Sequence, residues 1–284
     1  MTHRNALTVD VEDYFHVSAF ANAIDRSEWD SLPQRVDGNT HRLLDVFDSA
    51  GVKATFFVLG WVADRHPGLV REIHRRGHEV ASHGTSHKLI YAQTPQEFRN
   101  ETLRSKRMLE DLIGSRISGY RAASYSITNR SLWALDVIVE TGFEYDSSIV
   151  PVRHDLYGIP GAQAKPHRLS TPGGESLIEF PPTTIRVFGV NIPVGGGGYF
   201  RMFPYWFTRS ALRSINTRRQ QPFIFYLHPW EIDPSQPRIR ASVRSRFRHY
   251  VNLKKTEQRL IRLVSEFQFG TARSILEDIG LLSR

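Results

Sequence analysis

The 284-residue sequence contains no cysteine. Disulfide scaffolds, thiolate metal sites and cysteine nucleophiles are therefore excluded, and any metal has to be held by His, Asp or Glu. The same absence leaves the redox compartment open. No apolar run approaches the ~18 residues needed to span a bilayer, and Met1-Thr2-His3-Arg4-Asn5 leads straight into an apparent core strand. The expected location is cytoplasmic, or peripheral at the inner face of a membrane. There is no internal repeat, and no linker rich in Pro, Gly or Ser divides the chain. The one glycine run, Gly195-Gly196-Gly197-Gly198, lacks the Lys-Ser/Thr of a phosphate loop and the spacing of a dinucleotide fingerprint. It reads as backbone passing close to something bulky, or as a flexible loop.

Apolar residues make up 40% of the sequence, which supports a sizeable core in one α/β barrel or two smaller domains. The formal net charge is +8. Residues 238–262 hold nine basic side chains (Arg238, Arg240, Arg244, Arg246, Arg248, Lys254, Lys255, Arg259, Arg262) and one acid, Glu257, so this stretch equals the whole excess. Such a patch suits an anionic membrane surface or an acidic polymer, or is simply a solvated face. No nucleic-acid motif accompanies it, so nucleic acid is not an expected partner.

Residues 5–10, 53–59, 78–82, 119–122, 143–146, 176–180 and 223–227 read as strands. Between them the periodicity predicts helices over 41–50, 69–76, 95–113, 131–140 and 204–218, followed by 252–267 and 271–279. Thr94-Pro95-Gln96-Glu97 has the form of a capping box with proline at the first helical position. Strands alternating with helices argue for a parallel sheet with crossover helices, which gathers functional groups at the C-terminal ends of strands. Asp10, His83, Arg121 and Asp146 fall at such ends, and His228 follows the apolar strand 223–227.

The chemistry concentrates in two places. Asp10-Val11-Glu12-Asp13 sets three carboxylates in four residues at a strand end, where mutual repulsion is costly unless a cation or a function offsets it. His83 and His87, four residues apart, aim their ring nitrogens at one point if the backbone turns helically after the first.

Taken together, Thr8-Val9-Asp10-Val11-Glu12-Asp13, Ser82-His83-Gly84-Thr85-Ser86-His87, Tyr120-Arg121-Ala122-Ala123-Ser124-Tyr125, Tyr145-Asp146 and Leu227-His228 resemble the motifs of polysaccharide deacetylases of the NodB-homology type, carbohydrate esterase family 4. The wording Asp-Val-Glu-Asp-Tyr-Phe, the residues 195–199 and the Arg-rich tail are similar to the subgroup encoded with exopolysaccharide loci. The resemblance implies a distorted (β/α) barrel of seven or eight strands over residues 1–230, with residues 231–284 as a basic helical extension packed on it. It also implies a divalent metal, zinc first, held by one acid with His83 and His87. The acid is taken as Asp13, with Glu12 as the alternative, because the family's adjacent aspartates are separated here. The further roles implied are Asp10 as base, Arg121 as its ionic partner, and His228 as an acid set apart from the base and oriented by Asp146. The backbone after Arg121 and the ring of Tyr125 would flank an oxyanion, with Ala123 standing where the family has proline.

The expected activity is metal-dependent removal of N-acetyl groups from amino sugars of an exopolysaccharide or its lipid-linked precursor. An N-acetylated glycan or lipid-linked oligosaccharide is thus the expected partner, with an anionic membrane surface at residues 238–262. Two alternatives use the same residues: a hydrolase of small cyclic amides or imides, and a non-catalytic carbohydrate-binding module.

Overall fold

The strand that opens the fold, β1 (Arg4–Val11), is buried from Asn5 to its end, as a central parallel strand covered on both faces has to be. The computed structural model describes residues 3–283. After β1 come α1 (Val36–Ser49), β2 (Thr55–Val58), α2 (Gly60–Arg65), α3 (Pro67–Arg75), β3 (Glu79–Ser82) and α4 (Pro95–Ile113). The middle of the chain forms β4 (Gly119–Tyr120), α5 (Trp133–Glu140), β5 (Tyr145–Asp146), β6 (His167–Ser170), β7 (Ser176–Glu179) and the hairpin β8 (Thr184–Val187) with β9 (Val190–Pro193). Then follow α6 (Gly197–Met202), α7 (Tyr205–Arg218), β10 (Ile224–Leu227), α8 (Val243–Tyr250), α9 (Leu253–Glu266), β11 (Gln268–Gly270) and α10 (Ala272–Asp278).

The central sheet runs in the order β10-β1-β2-β3-β4-β5-β7-β6, with β11 also on β1. Every neighbour is parallel except β6 against β7, so the strands deliver their C-terminal ends to one rim. This is the α/β architecture expected. Strand pairing leaves β7 and β10 unpaired with each other, and irregular backbone spans the gap. Thr183 Oγ1 donates to the Ile224 carbonyl at 2.7 Å and accepts from Ile224 N at 2.9 Å. Alongside it, Tyr226 N donates to the Gly195 carbonyl at 2.8 Å. A Cβ on Gly195 would stand 2.6 Å from the Ile224 oxygen, and one on Gly196 would overlap the Tyr226 carbonyl. Close backbone approach, and not a flexible loop, accounts for this pair of glycines.

The predicted capping box of α4 is present: Glu97 N donates to Thr94 Oγ1 at 3.2 Å, and Thr94 N to Glu97 at 2.8 Å. By contrast, α1 begins at Val36, more than a turn before the predicted start at 41. Its cap comes from far away in sequence, because Arg35 N and Val36 N both donate to Asp13 Oδ2, at 2.6 and 2.9 Å. No local pattern announces a cap of that kind.

Beyond residue 230 the chain stays in contact with the sheet. Helix α9 buries Leu253, Leu260, Leu263 and Val264, while Ile261 is 49% exposed. β11 pairs with residues 4–6 of β1. From α10, Ala272, Ile275 and Leu276 pack with Ala6, Phe57, Tyr145 and Ile178. The sequence pattern did not disclose β6, the β8–β9 hairpin, α8 or β11.

Candidate active site

Four parallel strands deliver the site. β1 carries Asp10 and runs on to Glu12, β3 ends just before His83, β4 just before Arg121, and β10 just before His228. Asp10, Glu12, His83, His87 and Arg121 are each at most 5% exposed, so their charges interact through protein more than through water.

One ligand atom each of Glu12, His83 and His87 lies within 4.8 Å of the other two. His87 Nε2 is 2.8 Å from Glu12 Oε2, and that oxygen has no other partner. His83 Nδ1 lies 2.8 Å from the Arg121 carbonyl and so donates its hydrogen there, which leaves Nε2 as the free lone pair. The two histidines do not converge through a helical turn. Instead Gly84 and His87 both take left-handed backbone, at φ 74° and 53°. The loop is held from outside by Ser86 N and Oγ donating to Glu101, at 3.1 and 2.7 Å, and by Arg26 donating to the Ser86 and His87 carbonyls. A non-glycine residue in this region costs about 1–3 kcal/mol and persists where the surroundings over-determine it.

The donor set fits a divalent ion. Burial pushes the Glu12 carboxyl up, but His87 in hydrogen-bonding contact, with His228 and His83 beyond, holds it well below the usual carboxylate range. Burial, with His87 beside it, pulls His83 down, keeping the imidazole neutral as a ligand has to be. One anionic carboxylate and two imidazoles converge on a point, and His87 Nε2 is the one group close to Glu12 Oε2 among the described residues.

Asp13, the acid preferred from the sequence, is not in this cluster. Its Oδ2 caps α1 as described, and its Oδ1 accepts from Tyr14 N at 2.9 Å. Three backbone N–H groups saturate it and turn it away from the histidines. Glu12 takes the place because β1 ends at Val11, and the backbone then bends, with Glu12 N donating to the Asp10 carbonyl at 3.0 Å.

Arg121 does pair with Asp10: Nη1 is 2.6 Å from Oδ1 and also donates to Thr8 Oγ1 at 2.9 Å. The guanidinium is completed by Ser147 Oγ at 2.9 Å and lies over the Phe57 ring, 4.0 Å from its centroid. His228 Nε2 lies 3.8 Å from Asp10 Oδ2 and 3.2 Å from Glu12 Oε1, so acid and base are neighbours and not set apart as the sequence suggested. Their different partners keep them distinct. Nor does Asp146 orient His228. Asp146 Oδ1 accepts from Ser148 Oγ at 2.6 Å, and the residue sits opposite Glu179 across the β5–β7 register.

The orienting carboxylate is Glu231, which the sequence reading passed over although it lies only three residues beyond His228. Its Oε1 is 2.8 Å from His228 Nδ1, and its Oε2 accepts from Arg201 Nε at 2.6 Å. Burial pulls His228 down, but the hydrogen bond to Glu231 and the carboxylates of Glu12 and Asp10 push it up to about 9. Burial would raise Glu231, yet Arg201 and His228 hold it at about 2.

Asp10, Glu12, His83, His87 and His228 open onto one cavity of about 270 Å³, walled by Tyr125, Tyr157, Tyr199 and Tyr226. That is close to the lower end of the roughly 300–1,000 Å³ usual for small-molecule sites. Two of the amides expected to flank an oxyanion are already committed. Ala122 N donates to Ser148 Oγ at 2.8 Å, and Tyr125 N to the Ala122 carbonyl at 3.0 Å. Ser124 and Tyr125 take left-handed backbone, φ 51° and 55°, where the family proline is replaced by Ala123.

This arrangement is that of an α/β domain with a carboxylate and two imidazoles, able to hold a metal ion, gathered at its strand ends. Residues 28–145 match the family model described as polysaccharide deacetylase, and residues 147–277 match a model described as a domain of unknown function, DUF3473. In sequence the protein is similar to a peptidoglycan-N-acetylglucosamine deacetylase of Bacillus cereus, 28% identical over 149 residues covering 48% of this chain and 52% of the relative. It is also similar to a chitooligosaccharide deacetylase of Bradyrhizobium, 32% identical over 99 residues, with 35% and 43% covered. The chain thus spans about half, or less, of the length of these relatives. In structure it is similar to a provisional polysaccharide deacetylase from Mycobacterium smegmatis, with TM-score 0.63, 20% identity, and 98% and 90% of the chains covered. It is similar too to PuuE allantoinase, with TM-score 0.62, 15% identity, and 99% and 92% covered. At these identities the structural likeness concerns the fold alone. No helix among the described residues is long and apolar enough to cross a membrane.

Proposed function

We propose that this protein is a metal-dependent N-deacetylase of N-acetylated amino sugars, acting on an exopolysaccharide or its lipid-linked precursor. The observation that carries the reading is the convergence on one cavity of Glu12, His83 and His87, of Asp10, which pairs with Arg121, and of His228. The names of the curated relatives support the reaction class.

Glu12, His83 and His87 would hold the ion, zinc by preference for two imidazoles and a carboxylate. A divalent ion there supplies Lewis-acid polarisation of the acetyl carbonyl and acidifies water. Asp10 keeps Oδ1 on Arg121 and turns Oδ2 to the cavity, where it takes a proton from the attacking water. His228 enters the reaction protonated, because Glu231 stabilises the imidazolium, and gives the Nε2 proton to the departing sugar amine. Tyr125, Tyr157 and Tyr226 exclude water and offer ring faces to the sugar.

Acetate release from a panel of N-acetylated oligosaccharides, run with metal analysis, tests the reading. Metal at one equivalent per chain with acetate release is the expected result. A metal-free, active protein would overturn the role of the triad, and a loaded but inactive one the reaction.

A further inference from the structure

The cavity that holds the triad is also lined by His154 and Arg248, neither of which has a part in the chemistry above. His154 stacks on Tyr157, with centroids 4.1 Å apart and planes 16° from parallel, and Arg248 is exposed on the cavity rim. Within the same basic stretch, Arg262 is paired with Glu266, and nearby Arg201 with Glu231. Arg244 and Arg248 have no carboxylate partner among the described residues. Asp155, next to His154, is exposed and paired with neither arginine.

The position of Arg248 is fixed by the backbone. Arg201 Nη1 donates to the carbonyls of Arg248 and His249, at 3.0 and 2.5 Å, while its Nε holds Glu231. His249 in turn stacks on Trp230, with centroids 4.1 Å apart and planes at 13°. The backbone from which the Arg248 guanidinium extends is thus anchored at the mouth of the cavity that contains Glu12, His83 and His87. Arg248 lines the same cavity as His154 and Tyr157.

Resting on the deacetylase reading, we infer that Arg248, with His154 in the same lining, forms a subsite for an anionic oxygen group of the substrate, a phosphate ester or a carboxylate on the acetylated sugar or its neighbour. Guanidinium is the side chain best suited to such groups. A phosphate would belong to a lipid-linked precursor and a carboxylate to an acidic polymer. Leu156 and Met202, apolar and exposed at 45% and 37%, share the lining.

The test is calorimetry of the whole protein with an N-acetylated disaccharide, its 1-phosphate, and an N-acetylated disaccharide containing a uronate. At least one anionic ligand is expected to bind about tenfold tighter than the neutral one, and which one does so names the source. That ratio should fall at least fivefold in Arg248→Ala, reverse in Arg248→Glu, and shrink as salt rises. Both variants keep the carbonyl that Arg201 holds. Equal affinities, or a preference that survives both substitutions, would overturn the subsite. Acetate release measured in parallel separates the two ideas. Anion preference without acetate from any sugar sinks the deacetylase reading alone, and acetate without anion preference sinks the subsite alone.

Discussion

Nδ1 of His228 faces Oε1 of Glu231 at 2.8 Å, and the other oxygen of that carboxylate is occupied by Arg201 at 2.6 Å. Because Arg201 also holds the carbonyls of Arg248 and His249, the same side chain joins the proposed acid to the basic segment. Glu231→Gln removes the charge from the centre of this chain. Arg201, 2% exposed, would be left as a buried cation without an anionic partner, at a cost of about 3–5 kcal/mol. In chelator-treated protein His228, raised to about 9, contributes stability that is complete below its unfolded value near 6.5 and is lost as pH rises through 9. The variant should flatten that slope. Urea unfolding from pH 6 to 10, with NMR titration of His228, checks both, and unchanged curves would refute the coupling.

The choice between Glu12 and Asp13 predicts opposite phenotypes. Glu12→Gln should strip the metal and leave the α1 cap in place. Asp13→Asn should keep the metal and weaken the start of α1, by about 1–2 kcal/mol, as loss of a helix cap does. Metal content by mass spectrometry and thermal unfolding decide between them. Loss of metal from Asp13→Asn with full occupancy in Glu12→Gln would reverse the assignment.

Asp10→Asn tests the base. The amide can still accept from Arg121 but cannot take a proton, so kcat should fall by about 10²–10⁴ while metal content stays at one equivalent. Retention of most of the activity would place the base elsewhere.

Much of this site was legible in the sequence, and the part that was not has a physical reason. The strand ends bearing Asp10, His83, Arg121 and His228 followed from alternating periodicity, because parallel strands separated by helices bring those ends to one rim. The identity of the third ligand did not follow. It depends on how the chain bends after Val11, and on a cap that Asp13 gives to backbone more than twenty residues away. Glu231 was overlooked because a carboxylate three residues past a histidine, in a short turn, has no periodic signature. Asp146 sits at a strand end like the others. Its register opposite Glu179, which sequence cannot show, gives it a different environment.

That register leads to a pH prediction. Asp146 and Glu179 are fully buried and opposed, and burial raises both, Asp146 to about 6 and Glu179 well above its ordinary value. The folded state thus binds more protons than the unfolded one, and this pair's contribution to stability falls from about pH 4, through 6 for Asp146 and on to higher pH for Glu179. Glu179→Gln supplies an amide that donates to Asp146 without a shared proton. The variant should lose that slope and gain stability relative to wild type at pH 7. Denaturant curves from pH 4 to 8 check it, and a parallel displacement of the two stability profiles would show that the pair shares no proton.

The glycine run offers a test of how the sheet edges are brought together. Gly196 has φ +130°, and a Cβ there would overlap the carbonyl of Tyr226, whereas a Cβ on Gly198 would meet nothing nearer than Arg201 Nη2 at 3.8 Å. Gly196→Ala should therefore cost at least about 1–3 kcal/mol, from backbone strain and forced separation of the seam, and Gly198→Ala should leave stability nearly unchanged. The damage should be selective. Tyr226 and His228 ride on β10 and its continuation, while Glu12, His83 and His87 come from β1 and β3, so Gly196→Ala should lower turnover yet keep the metal. Unfolding curves, metal content and acetate release on the two variants measure this. If both alanines behave alike, the close approach at Gly196 is not what holds β10 in place.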